Sequence, residues 1–124
     1  MRITDVTTTV LHTPNSLPFH DSTMRQVGTS WAGIFVHIKT DEGPEGLGLG
    51  VVPSSRELIE RTLKPLLIGQ DPLDHERLWE EMFWAIRGYG RKGMAFCALS
   101  AIDIGLWDLK GKIFDAPLYK LIGP

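Results

Sequence analysis

With 124 residues and a mass of 13.9 kDa, the chain has room for one compact domain. Its 43% hydrophobic and 23% charged residues and a mean hydropathy of -0.03 are those of a globular protein. A net charge of -2 and a pI near 6.0 leave no cationic excess for phosphates, so neither a nucleic-acid partner nor a polybasic membrane patch is expected. The single cysteine, Cys97, excludes an internal disulfide framework and a cysteine-cluster zinc site, and it fits a reducing compartment. No segment has the apolar core of a signal peptide, and Met94 to Leu109 is interrupted by Ser100, Asp103 and Asp108. The expected location is the cytoplasm.

Three strands are predicted first. Ile3 to Leu11 is rich in Thr and Val, which suit a pleated surface. A loop from His12 to Ser30 follows, punctuated by Pro14, Pro18 and Gly28. Ala32, Ile34, Val36 and Ile38 then alternate with Gly33, Phe35, His37 and Lys39, a period of two with one strongly apolar face. Asp41-Glu42-Gly43-Pro44 supplies a turn, and Glu45 to Val51 returns antiparallel. Gly46, Gly48 and Gly50 within this strand lack the strand–turn–helix context of a nucleotide loop. They mark a bend or a close backbone approach.

Three helices follow. Ser54 and Glu57 have capping-box spacing, and Leu58, Ile59, Thr62, Leu63, Leu66 and Leu67 share one face. Pro65 is expected to kink or shorten the last turn, and Gly69 to close it. The second helix starts at Asp74 as N-cap, with Leu73 and Leu78 placed as a hydrophobic staple. Its stripe is Trp79, Met82, Phe83 and Ile86, and Gly88 ends it. The third, from about Lys92 to Lys112, is apolar on nearly every side, and Gly105 within it predicts a close neighbouring backbone. Leu118, Leu121 and Ile122 form an apolar tail. The order predicts an α+β fold, a three-stranded antiparallel meander packed on a three-helix layer, with the four tryptophans adding area to its core. So greasy a helix and tail call for cover beyond this layer.

No complete active site is legible in these residues. Asp103 and Asp108 differ by about 140° around a helix, so they do not converge on one atom. Asp108 is expected to pair with Lys112 at i+4, and Asp103 to be hydrogen-bonded at a helix or sheet boundary. His12, His20, His37 and His75 show no metal-ligand spacing, and His37 and His75 are expected to be solvated. His20 and Arg25 lie in the long loop, where binding residues gather. Cys97 sits mid-helix and should be inert. Arg91-Lys92, between Gly90 and Gly93, could hold an anion, an acidic partner or only solvent.

Gly69-Gln70-Asp71-Pro72, Leu78-Trp79-Glu80, Gly90-Arg91-Lys92-Gly93 and the run from Ala101 to Lys112 (A-I-D-I-G-L-W-D-L-K-G-K) together resemble the N-terminal domain of the mandelate racemase/muconate lactonizing enzymes, in the enolase superfamily. Pro117 to Gly123 resembles the segment leading into their barrel, and Ile3-Thr4-Asp5-Val6 and Thr40 to Gly43 fit as well. The likeness covers essentially the whole chain. It implies a sheet-and-helix cap on the open end of a modified (β/α) barrel. Members bind magnesium through three barrel carboxylates and abstract a proton α to a carboxylate, using barrel lysines or a histidine as bases.

On that resemblance, residues 1–113 are a capping domain and 114–124 begin the connection to a barrel absent from this chain. No catalytic residue and no metal ligand is assigned here. Magnesium belongs to the full-length parent, with its ligands in the barrel. The cap loops correspond to roughly 13–29 and 51–55, which makes His20, Met24, Arg25, Val52 and Ser54 the substrate-contact candidates. Leu49 stands where many members carry a glutamate. The expected partners are the barrel, a small carboxylate substrate and further copies of the chain in a homo-oligomer, with no nucleic acid and no membrane. The chain alone is expected to be inactive; the alternatives are a stand-alone interaction module or truncated non-catalytic homologue and, more remotely, a free-standing enzyme built on His20 and Arg25.

Overall fold

A computed structural model describes residues 1–14, 22 and 30–123. Strand β1 (Ile3–Pro14) is longer than its Thr/Val-rich core, because Leu11 to Pro14 stay paired with β2 (Ser30–Thr40). β3 (Glu45–Gly50) closes an antiparallel sheet of order β1-β2-β3. The register sets Val6 opposite Ile38, Val10 opposite Ile34, and Ile34 opposite Gly50. As the alternation requires, Ile34, Val36 and Ile38 are fully buried on one face, while His37 lies half-buried on the other.

The first helical segment departs from the expected cap. Pro53–Ser55 forms a 3-10 turn, and no side chain caps the helix behind it. Ser54 is exposed, while the buried Ser55 directs its hydroxyl and its N–H back to the Val52 carbonyl, at 2.7 and 3.0 Å. A serine hydroxyl that bonds the preceding turn is no longer free to cap the next one. Helix α1 (Arg56–Leu58) then widens into a π-helical turn, Ile59–Leu63, before α2 (Lys64–Leu67). Pro65 offers no N–H and its ring crowds the carbonyl four residues back; the wide turn just before it gives that carbonyl room. Gly69, at φ +79, turns the chain so that its N–H meets the Ile3 carbonyl at 2.8 Å, and Ile3 in turn donates to Gln70.

Helix α3 (His75–Ala85) begins where Asp74 predicts, although the Asp74 carboxylate accepts from Arg77 at 3.0 Å and caps no backbone amide. Leu78, Met82 and Ile86 are fully buried, Trp79 and Phe83 only partly, and Leu73 stays largely exposed. A 3-10 turn, Arg87–Tyr89, leads to α4 (Met94–Ile113), and a short α5 (Leu118–Ile122) follows. Helix α4 packs on β3 and β2 with one side and on the other helices with the next, which accounts for most of its apolar surface, while Met94 and Ile104 stay exposed. Its Gly105 meets β3 as expected: a Cβ on Gly48 would overlap the Ala101 carbonyl oxygen, and one on Gly46 the carbonyl of Gly105. The tryptophans do not fill the core. Ile, Leu, Val, Met and Ala side chains do, with Trp79 packed at its edge and Trp84 exposed.

Candidate functional site

β1 ends, β2 begins and β3 ends at the end of the sheet opposite the 41–44 turn. β1 and β2 run beyond β3, their last pairs being Thr13 with Trp31 and Pro14 with Ser30, while β3 stops at Gly50 opposite Ile34. Pro14 and Ser30, which bracket residues 15–29, therefore lie at the same end of the sheet as Gly50, where the Val51–Ser55 segment begins. Helix α4 runs antiparallel to β3, Gly46 lying against Leu109 and Gly50 against Ala101, so its N-terminus and the loop before it reach that end too.

Two of the sequence-predicted contact residues can be placed there. Val52 is half-buried in an extended conformation (φ -119, ψ 92), and its carbonyl already accepts both Ser55 donors. Ser54 is exposed and, with Glu57, Arg61, Thr62, Tyr89 and Met94, lines an open groove of about 260 Å³. His20, Met24 and Arg25 lie outside the described residues. Tyr89 and Met94 escape sequence reasoning as groove residues. Their one signal is the neighbouring Gly90-Arg91-Lys92-Gly93 run, which holds two of the chain's left-handed glycines.

His75 is a correction to the expected solvated histidine. It is 4% exposed, and its Nε2 lies 2.6 Å from Asp103 Oδ1, while its Nδ1 has no protein partner among the described residues. The edge of its ring meets Trp107 at 4.7 Å between centroids. Asp103 is thus hydrogen-bonded between helices, joining α4 to the start of α3. Asp108 behaves as predicted, accepting from Lys112 Nζ at 2.7 Å. It also accepts from the Leu47 N–H at 2.8 Å, and Lys112 donates to the Glu45 carbonyl, so the pair ties α4 to β3. Neither aspartate is aimed at a common ligand.

Among the described residues no group of three or more His, Cys, Asp and Glu is placed to hold a metal ion. Among them, too, no helix is long and apolar enough to cross a membrane.

Comparison with known proteins identifies the fold. Residues 3–123 match the family model described as mandelate racemase / muconate lactonizing enzyme, N-terminal domain. D-galactarolactone cycloisomerase of Agrobacterium fabrum is 36% identical over 124 residues, covering 99% of this chain and 32% of that protein. A racemase from Streptomyces coelicolor A3(2) with bound magnesium superposes with a TM-score of 0.89 at 34% identity, over 98% of this chain and 35% of the other. L-talarate dehydratase from Polaromonas sp. JS666, complexed with Mg and L-glucarate, gives a TM-score of 0.84 at 36% identity, over 98% and 35%. The chain spans about a third of the length of each of these three relatives. With its three-stranded sheet, its helical layer and a family match from residue 3 to residue 123, the chain belongs to the mandelate racemase/muconate lactonizing enzyme family of the enolase superfamily, as an N-terminal domain.

Proposed function

We propose that this chain is the substrate-capping portion of a magnesium-dependent enzyme that abstracts a proton α to the carboxylate of an acid sugar or hydroxy acid, leading to racemisation, cycloisomerisation or loss of water. The observation that carries the reading is that Pro14 and Ser30, which bracket residues 15–29, and Gly50, which precedes Val51–Ser55, all lie at one end of the sheet. Two loops that leave a rigid sheet together can close over a ligand held beneath them. The relatives are a cycloisomerase, a racemase and a dehydratase, two of them solved with magnesium.

In this reading the metal ligands and the proton-abstracting bases lie on a barrel, and the chain alone turns over nothing. Residues 1–113 are the capping unit. Phe114, Asp115 (φ 46) and α5 begin the connection to the barrel. His20, Met24 and Arg25 contact the substrate from the first loop, and Val52 and Ser54 from the second; a cationic loop side chain suits a carboxylate substrate. The protein works in the cytoplasm as a homo-oligomer.

The test adds a separately expressed barrel of the Agrobacterium cycloisomerase to the purified chain, with magnesium and a panel of acid sugars. Turnover is expected only from the mixture, and Arg25→Ala should raise KM about tenfold or more with kcat changed less. Turnover by the chain alone, or a mixture no more active than the barrel, would overturn the reading. A stand-alone interaction module is favoured by one observation, the exposure of Phe114, Tyr119 and Ile122 near the end of the chain. It predicts micromolar self-association with no activity in either preparation.

A further inference from the structure

The start of α3 and the middle of α4 wall an open cavity of about 180 Å³, which shares no residue with the groove beside Ser54. Its walls follow from helical spacing. Asp103 and Trp107, four residues apart, lie on one face of α4, and His75, Glu76 and Trp79 fall within one turn of α3. The volume is several times the roughly 30 Å³ that a water molecule takes in the liquid, so a small organic molecule has room.

The lining is mostly apolar, with Glu76 and Asp103 as its carboxylates. Glu76 is exposed and forms no ion pair among the described residues. Asp103 is bonded through Oδ1 to His75 Nε2 at 2.6 Å and meets no lysine or arginine among them. His75 is the most buried of the five walls, and its Nδ1 has no partner among the described residues. Negative charge therefore faces this cavity without a cation on its walls to answer it.

The two indoles are placed to complete such a site. Lys110 Nζ already sits 4.8 Å from the Trp107 centroid, although Lys110 is not a wall of the cavity. Trp79 is held by stacking on Phe83 at 5.1 Å. Indole attracts cations more strongly than the other aromatic side chains, and the attraction grows where water is excluded. A bare ammonium is compact and strongly hydrated, and ring carbons do not replace its water. An alkylated ammonium carries the same charge inside an apolar shell, so it matches the rings and the carboxylates at once.

We propose that this cavity binds a small alkylated ammonium ion, its alkyl groups lying on Trp79 and Trp107 and its charge facing Glu76 and Asp103. The site is built from α3 and α4 alone. It takes nothing from the capping reading, so each can fail without the other.

The probe is tetramethylammonium chloride, titrated into the isotope-labelled chain with ionic strength held constant by sodium chloride. In nuclear magnetic resonance spectra the indole N–H signals of Trp79 and Trp107 should move and saturate, with a Kd of about 1 mM. Those of Trp31 and Trp84, which line no part of the cavity, should stay in place. tert-Butanol, similar in shape but neutral, should bind about tenfold more weakly. Glu76→Gln, at an exposed position that leaves the packing alone, should raise Kd about threefold. Trp79→Phe should raise it by about as much. No movement, or equal movement of all four indoles, overturns the proposal. So does tert-butanol binding as tightly as the cation, or a Kd that neither substitution changes.

Discussion

Asp103 and His75 stand 28 positions apart, and each is ordinary in its own sequence neighbourhood. Their bond holds the first turn of α3 to the middle of α4, and the imidazole is buried. Replacing Asp103 by Ala strands a buried ring nitrogen, at a cost of about 1–3 kcal/mol, whereas Asn keeps an acceptor within reach and should cost less. Urea midpoints of the two variants check this, and equal losses would assign the effect to something other than the bond. The expectation that His75 is solvated followed from its place at a helix start. Whether that start faces water or another helix is not a property of neighbouring residues. Asp108 and Lys112 were legible because their pairing is local, one helical turn, and needs no knowledge of the rest of the chain.

The docking of α4 on β3 is written in small residues. Gly46, Gly48 and Gly50 are buried on the strand face that meets Ala101 and Gly105, and the two backbones nearly touch. A methyl group at residue 48 has nowhere to go except into the Ala101 carbonyl. Gly48→Ala should therefore force the helix away from the sheet and destabilise the chain by about 1–3 kcal/mol. Gly88→Ala is the control, because nothing lies within 4 Å of a Cβ there. It should stay within about 0.5 kcal/mol of the parent. Denaturant unfolding of both measures the contrast. The glycines in β3 and Gly105 in α4 each announced a close approach in the sequence. That they approach each other was decided by the antiparallel course of α4 along β3. The π-helical turn before Pro65 was not legible, since a proline predicts a disturbance but not the form the backbone gives it.

Across the whole molecule, the first strand is fastened to the first helical segment by two polar contacts. Lys64 Nζ donates to Asp5, and the Thr8 hydroxyl donates to Glu60. The hydrogen bond from Lys64 holds the Asp5 carboxyl below its ordinary value of 3.8, with the lysine's charge and the Val6 N–H adding to it. The Thr8 hydroxyl, and then Arg56, hold Glu60 below its ordinary 4.5. Both carboxyls bind protons less readily in the folded chain than in the unfolded one. Their stabilisation is complete above those ordinary values and is lost as pH falls from them through the lower folded values. Stability should therefore drop on acidification below about pH 4.5, with a shallower acid limb in Lys64→Met, which removes the main cause acting on Asp5. Urea midpoints from about pH 6 to pH 3 read the difference; identical limbs would show that the contact contributes nothing. Both groups are partly open to solvent, so the effect is modest.

The α+β class, the strand alternation, the stripes of the helices and the family were determined by the sequence itself. Each rests on periodicity or on a contiguous motif, and those survive in one dimension. The tertiary structure decided which faces meet. It buried His75, left Trp84 exposed, and set Pro14, Ser30 and Gly50 at one end of the sheet. Those outcomes depend on the register of antiparallel pairs and on the path of α4 across the sheet. They are properties of packing between distant segments, on which neighbouring residues carry no information.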